Sequence, residues 1–302
     1  MSLSEILKEG FRITNRNWPL VLIHLGGLFL LLFVLFFSFF LPLLISGSFT
    51  LLSDFDWEDF LEDPFLFQGA PLLLLLIVPF LFLGLTLLNG FYIFVAGGVK
   101  GVYKEDLLQE NSQSFTFSRF IQNGKVYFWR IAGLWALLGL IIFPLLILFG
   151  IFGGVVVWMM KIGDVEYYSL IFMGILIIFS TLLFTLYFSY SNILLVMEDE
   201  GAGGAMRRGL QFLKDHFGPA AGLYLVLVLI HFGISALFTG IQFPFNFIPV
   251  VGTLVSLFLL PIQTLLSIYL SLFFTAAMMV FYRDRRGKKP LRVEPEIPLR
   301  PI

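Results

Sequence analysis

The sequence predicts an all-α, polytopic membrane fold with six transmembrane helices set out as three parallel hairpin repeats. Three observations carry that expectation. Six apolar stretches each exceed the run of about 20 residues that crosses a bilayer core of about 30 Å. No lysine or arginine occurs between Arg16 and Lys100, although two of the stretches and six carboxylates lie there. The chain is 59% hydrophobic and 13% charged, against about 25% charged residues in soluble domains. A soluble domain could not hide so much apolar surface, and lipid removes the need to hide it.

The spans are expected at about 19–46, 71–98, 129–158, 168–197, 219–241 and 250–282. The first is too long for a signal-peptide core and lacks a small-residue cleavage site, so it reads as a retained span. The last two are separated by "QFPFNFIPVVG", whose prolines and glycine around Asn246 favour a tight turn over one continuous helix. Charge then orients the layout. Of the 19 basic residues all but Lys161 fall on one side, which places both termini in the cytoplasm of a cell with an inner (plasma) membrane. That side is net positive and the other net negative.

Residues 1–282 are read as a single six-span domain with repeats at about 1–98, 112–197 and 199–282, and 283–302 as a basic, proline-rich cytoplasmic tail. "EILKEGFRITNRNWPLVLIHL" and "GAMRRGLQFLKDHFGPAAGLYL" each carry a glycine (Gly10, Gly209) eight residues before an aromatic (Trp18, Phe217), followed by a proline (Pro19, Pro219). "FSRFIQNGKVYFWRIAGLWAL" keeps the order of amphipathic stretch, aromatics and span without that spacing or the proline. Each unit reads as an in-plane amphipathic helix, an outward span and a return span. Ser2 and Glu5 have capping-box spacing, and Leu3, Ile6, Leu7 and Phe11 share one face, with Lys8, Arg12 and Arg16 on another. That apolar face suits headgroup contact and packing against the other helices equally well.

Chemistry is sparsely written. The absence of cysteine excludes disulfides and thiol catalysis, and the net charge of −1 offers nothing to nucleic acid. His24, His216 and His231 are isolated, with no metal-ligand spacing. The spans hold no Asp, Glu, Lys or Arg at depth, which weighs against ion-coupled transport. Asn89, Ser180, Thr181, Thr185, Ser189, Ser191, Asn192, Gln263, Thr264 and Ser267 suit interhelical hydrogen bonds or, around the fourth span, a substrate path. No catalytic residue, cofactor site or metal site is expected. Two charged surfaces are. Asp54, Asp56, Glu58, Asp59, Glu62 and Asp63 form an acidic outer docking surface around Trp57. Arg283, Arg285, Arg286, Lys288 and Lys289 form a polybasic contact for anionic lipid.

"NILLVMEDEGAGGAMRRGLQFLKDHFG" resembles a segment of the polytopic membrane domain attached to some bacterial glycerophosphodiester phosphodiesterases and of related uncharacterised six-span proteins. "AGGVKGVYKEDLLQENSQSFTFSRF" is similar to their link between the second and third spans. The resemblance implies a six-span all-helical fold. It carries no catalytic residue onto this sequence, and the phosphodiesterase barrel is not expected in a 20-residue tail. The expected function is a non-enzymatic scaffold or accessory subunit that organises lipid or a membrane complex. Its partners would be membrane lipids, a second copy or another membrane protein. The alternative is a transporter or channel for an apolar or amphiphilic substrate.

Overall fold

The computed structural model describes residues 1–45, 71–108, 115–160 and 166–286. The described residues are helical almost throughout, with no strand among them. In chain order the helices are α1 (Leu3–Arg16), α2 (Pro19–Ile45), α3 (Pro71–Leu108), α4 (Phe117–Met160), α5 (Glu166–Met197), α6 (Ala202–Gln242) and α7 (Pro249–Arg286). A 3₁₀ turn, Phe243–Phe247, separates α6 from α7 where the proline-rich link was expected to turn. Six of the helices, α2 to α7, are long and apolar enough to cross a membrane. The protein is a multi-pass membrane protein by this architecture.

The breaks follow proline chemistry. α1 starts on the capping box anticipated from Ser2 and Glu5: the Ser2 hydroxyl accepts from the Glu5 N–H, and Glu5 accepts from the Ser2 N–H at 2.6 Å. It stops at Asn17, just before Pro19, whose ring cannot donate and would crowd the preceding turn. The Asn17 amide donates to the Ile13 carbonyl at 2.9 Å and so closes the end of the helix. In α6 the same event is milder: His216 leaves helical geometry (φ −133°, ψ 27°) three residues before Pro219, and the helix resumes. α4 has no proline at the corresponding place and runs unbroken from Phe117 into its span. Among the described residues no separate in-plane helix precedes the third span, contrary to expectation: the residues from Phe117 onward belong to the same helix as the span.

The chain divides into two compact units. One is Pro19–Val95, the other Met1–Trp18 with Ala96–Ile302. In the first, α2 and the opening part of α3 run antiparallel. A side chain at Gly27 would meet Phe91, one at Gly84 would meet Val34, and the Ser38 hydroxyl donates to the Phe80 carbonyl. In the second unit, burial concentrates at one end of the helices. Residues 97–107, 190–197 and 272–282 hold most of the buried residues, among them Tyr103, Leu195, Met279 and Phe281. This end also carries Arg16, Lys104, Arg130, Arg208 and Arg286, and is called the basic end below.

Candidate functional site: the ion-paired basic end

Three short helical segments lean on the ends of three long helices. α1 buries Ile6, Gly10, Ile13 and Thr14. A methyl group on Gly10 would lie 2.9 Å from the Ala277 Cα of α7, so only glycine allows this approach. In α6 the buried set is Ala205, Gly209, Phe212 and Leu213. A methyl on Gly209 would lie 3.1 Å from the Ser191 Cα of α5. At the start of α4, Phe120, Gly124 and Tyr127 are buried. They face Gly97 and Gly98 of α3, where an added methyl would meet Tyr127 and Phe120. Gly124 thus has the burial frame of Gly10 and Gly209: a buried residue four before it and another three after it. Sequence reading missed it because neither the aromatic eight residues on nor the proline is there. The small-residue pair Gly97/Gly101 is used in this packing, whereas Gly150, Gly218 and Gly222 face open space.

Charges repeat in the same register. Seven residues after Gly98, Ser191 and Ala277 stand Glu105, Glu198 and Asp284. Each binds a cation on the short segment packed there. Glu105 pairs with Arg119 at 2.6 Å, Glu198 with Arg208, and Asp284 with the Met1 ammonium at 3.0 Å. Eight residues after the same positions stand Asp106, Asp199 and Arg285. Six residues after Gly10, Gly124 and Gly209 stand Arg16, Arg130 and Asp215. Arg16 pairs with Asp106 at 2.9 Å, and Arg130 with Asp199 at 3.7 Å. In the third place the signs are reversed, and no ion pair joins Asp215 to Arg285.

Further bonds tie the long helices to one another. Lys104 of α3 reaches Asp199 at 2.5 Å, and the Tyr127 hydroxyl donates to the same carboxylate at 2.7 Å. Glu198 at the end of α5 accepts from the Tyr282 hydroxyl and pairs with Arg286 of α7 at 3.2 Å. Arg283 of α7 donates to the Leu107 carbonyl of α3 at 3.0 Å. The linkage from α3 to α5, to α7 and back to α3 is closed. Asp199 enters it from a left-handed backbone (φ 54°), which a short polar side chain tolerates better than most. Asp106 is the most enclosed member. Its carboxylate has no exposure and also takes the Asn17 amide at 2.6 Å.

The residues expected to contact anionic lipid are split by this network. Arg283 and Arg286 are occupied by protein partners. Arg285 is exposed, with its guanidinium 5.6 Å from the centre of the Phe281 ring. Lys288 and Lys289 lie outside the described residues, as do the acidic-surface residues Asp54, Asp56, Glu58, Asp59, Glu62 and Asp63. His24 and His216 each bond a carbonyl of their own helix, at Leu20 and Phe212. Thr185 and Asn89 do the same with Thr181 and Leu85. Among the described residues no three His, Asp or Glu side chains converge as a metal site would require. No protein-family model, curated protein or solved structure matches this chain. The likeness to the phosphodiesterase-associated membrane domain rests on its two sequence segments.

Proposed function

We propose that the protein is a non-enzymatic membrane scaffold or accessory subunit of an inner membrane, with both termini cytoplasmic, that organises lipid or a membrane complex. The observation that carries this reading is the closed linkage at the basic end. Lys104, Asp199, Glu198, Arg283 and Arg286 bond the ends of α3, α5 and α7 together. A transporter that exposes a site alternately to each side needs one part of the bundle to rock against another. Cross-bonding the long helices at one end opposes that motion and suits a rigid platform. The apolar outer face of the helices supports the membrane setting, as do Trp18, Trp129 and Phe217, all exposed near the basic end where interfacial aromatics belong.

The platform is read as a threefold repeat of hairpins, each preceded by an amphipathic segment, which in the second unit is continuous with its span. Support comes from the shared register of Gly10, Gly124 and Gly209 with Gly98, Ser191 and Ala277, and from the acids seven residues on. The start of α4 leans on α3 and the start of α6 on α5, in each case the long helix before it in the chain, and α1 leans on α7. A repeat read along the chain would in this way close into a ring.

Isolation of the protein in its native bilayer, with mass and composition determined, tests the scaffold. The expected particle contains a second copy or a stoichiometric protein partner. A single chain holding one small amphiphile in a central cavity would overturn the reading in favour of a transporter. Orientation is tested separately by thiol labelling of intact cells. Gly240→Cys should label from outside, and Arg207→Cys only after the inner face is opened.

A further inference from the structure

A groove of about 240 Å³ opens at the basic end between α1, the part of α6 beyond its kink, and the end of α7. Leu3 and Ile6 form one wall, Pro219 and Gly222 another, and Phe281 the third, with Arg285 at the rim. The lining is apolar apart from that rim and the Met1 ammonium, which is paired with Asp284. Its volume is below the roughly 300 Å³ of a small-molecule pocket, so it has room for part of one acyl chain. The rim cation is the unusual part. At the same places along α3 and just past the end of α5 stand Asp106 and Asp199, and both are neutralised by an arginine of the adjoining segment. In α7 the sign is reversed to Arg285, Asp215 forms no ion pair with it, and its neighbours Arg283 and Arg286 are spent on Leu107 and Glu198. Among the described residues no carboxylate bonds Arg285, and it lies over the Phe281 ring at the groove mouth.

We propose that this groove binds one anionic phospholipid, with an acyl chain along Leu3, Ile6 and Gly222 and the phosphate on Arg285. This rests on the reading above only in taking the basic end to lie at the headgroup level. The chemistry is matched on both counts. An unpaired guanidinium is a strong donor to phosphate oxygens. An apolar trough that opens beside a spanning helix accepts the chain without exposing it to water. The charge separates this site from a general lipid-facing surface, which offers apolar contact without an anion partner.

The test uses the full chain in bilayer discs of phosphatidylcholine doped with phosphatidylglycerol of the same acyl composition, followed by lipid counting on the released protein. One phosphatidylglycerol per chain should be retained in preference to phosphatidylcholine. Arg285→Gln should lower its retention about fivefold, the worth of one interfacial cation. Gly222→Leu should lower it by a similar factor with Arg285 intact. A Cβ at Gly222 meets nothing within 4 Å, so leucine can enter the groove without pushing on the backbone, and an unchanged melting temperature checks this. Arg207→Gln, an exposed arginine away from the groove, should leave retention unchanged. The proposal is overturned if Gly222→Leu retains lipid like the parent protein, or if both lipids are retained equally. It is also overturned if deletion of 287–302 abolishes retention while Arg285 remains, since the tail would then be the binding element. A small amphiphile in a central cavity of a single chain would sink the scaffold and leave these retention ratios untouched.

Discussion

Two apolar stretches of α7 have opposite surroundings. From Leu272 to Tyr282 nearly every side chain is buried, including Ala276, Ala277, Met278 and Met279. One half-length earlier, Leu254, Leu257, Phe258, Leu260 and Ile262 are exposed, Phe258 at 73%. The α2–α3 hairpin repeats the second pattern: Phe29, Phe33 and Phe36 of α2 and Phe82 and Leu87 of α3 are open. Lipid is as apolar as leucine, so hydrophobicity alone does not draw helices together. What distinguishes the packed half is small residues that permit close approach and charges that fix partners. The basic end is held by Gly10, Gly98 and Gly209 and by the acids beside them; the outer halves are held by the bilayer.

That contrast can be broken most forcefully at Asp106. Its carboxylate has no exposure and serves Arg16, Asn17 and, at 3.6 Å, Arg119. Asp106→Ala leaves enclosed cations without their anion and should cost about 3–5 kcal/mol of stability. Phe82→Ala, on the open face of the hairpin at 73% exposure, should change little despite removing far more apolar area. Thermal unfolding in micelles measures both. Equal losses would mean that the basic end is no more integral than the lipid face.

Next in size is the glycine contrast. Gly10→Leu must push against the Ala277 backbone, 2.9 Å from its first side-chain atom, and overpacking of this kind costs about 1–3 kcal/mol or more. Gly209→Leu meets Ser191 in the same way. Gly26→Leu in α2 meets nothing within 4 Å and should leave the melting temperature where it is. If Gly10→Leu is as harmless as Gly26→Leu, α1 does not seat against α7.

These contrasts also explain what the sequence disclosed. Apolar run length and the one-sided basic residues announced six membrane-crossing helices, because hydropathy summed over a span is a strong signal. Pro19 and Pro219 announced their breaks, and Ser2 with Glu5 announced the start of α1, because these act through neighbouring backbone. Gly124 was hidden, since its role depends on Gly97 opposite and not on any nearby residue. The acids Glu105, Glu198 and Asp284 were visible as charges but not as a register. Each is read only against a small residue seven positions earlier and a cation on another helix. The lipid role expected of Arg283 and Arg286 was blurred for the same reason, as a basic run does not say which members have partners inside the protein.

A smaller effect sharpens the repeat. Asp215 and Arg285 occupy the places of Arg16 and Asp106 with the signs exchanged. The double change Asp215→Arg with Arg285→Asp gives the third unit the polarity of the first two. If the register is right, the double variant should match or exceed the parent in stability by up to about 1 kcal/mol, the range of exposed pairs. Either single change should do worse than the double by coupling two like charges. A double variant equal to the sum of its singles would place the two residues out of reach and remove the third unit from the repeat.

The smallest expected effect lies at the start of α1. The Glu5 carboxyl is held below its ordinary value, chiefly by the Ser2 backbone N–H and then by the Ser2 hydroxyl. The deprotonated form is therefore the one that the folded helix start favours. A lowered folded pKa contributes stability that is present above the unfolded value and is lost as pH falls through the folded one. Acidification through and below the ordinary glutamate range should loosen the first turn of α1. The amides of Glu5 and Ile6, which donate to the Ser2 hydroxyl and carbonyl, should then lose exchange protection after correction for intrinsic rates. The start of α1 also carries the Met1 ammonium, which is paired with Asp284, so the parent protein alone does not isolate Glu5. Glu5→Gln separates the two: it keeps an acceptor for the Ser2 N–H and removes the titrating charge. Its protection should be lower at neutral pH and flatter with acid than that of the parent. Identical slopes in the two proteins would leave the Glu5 bond without energetic weight.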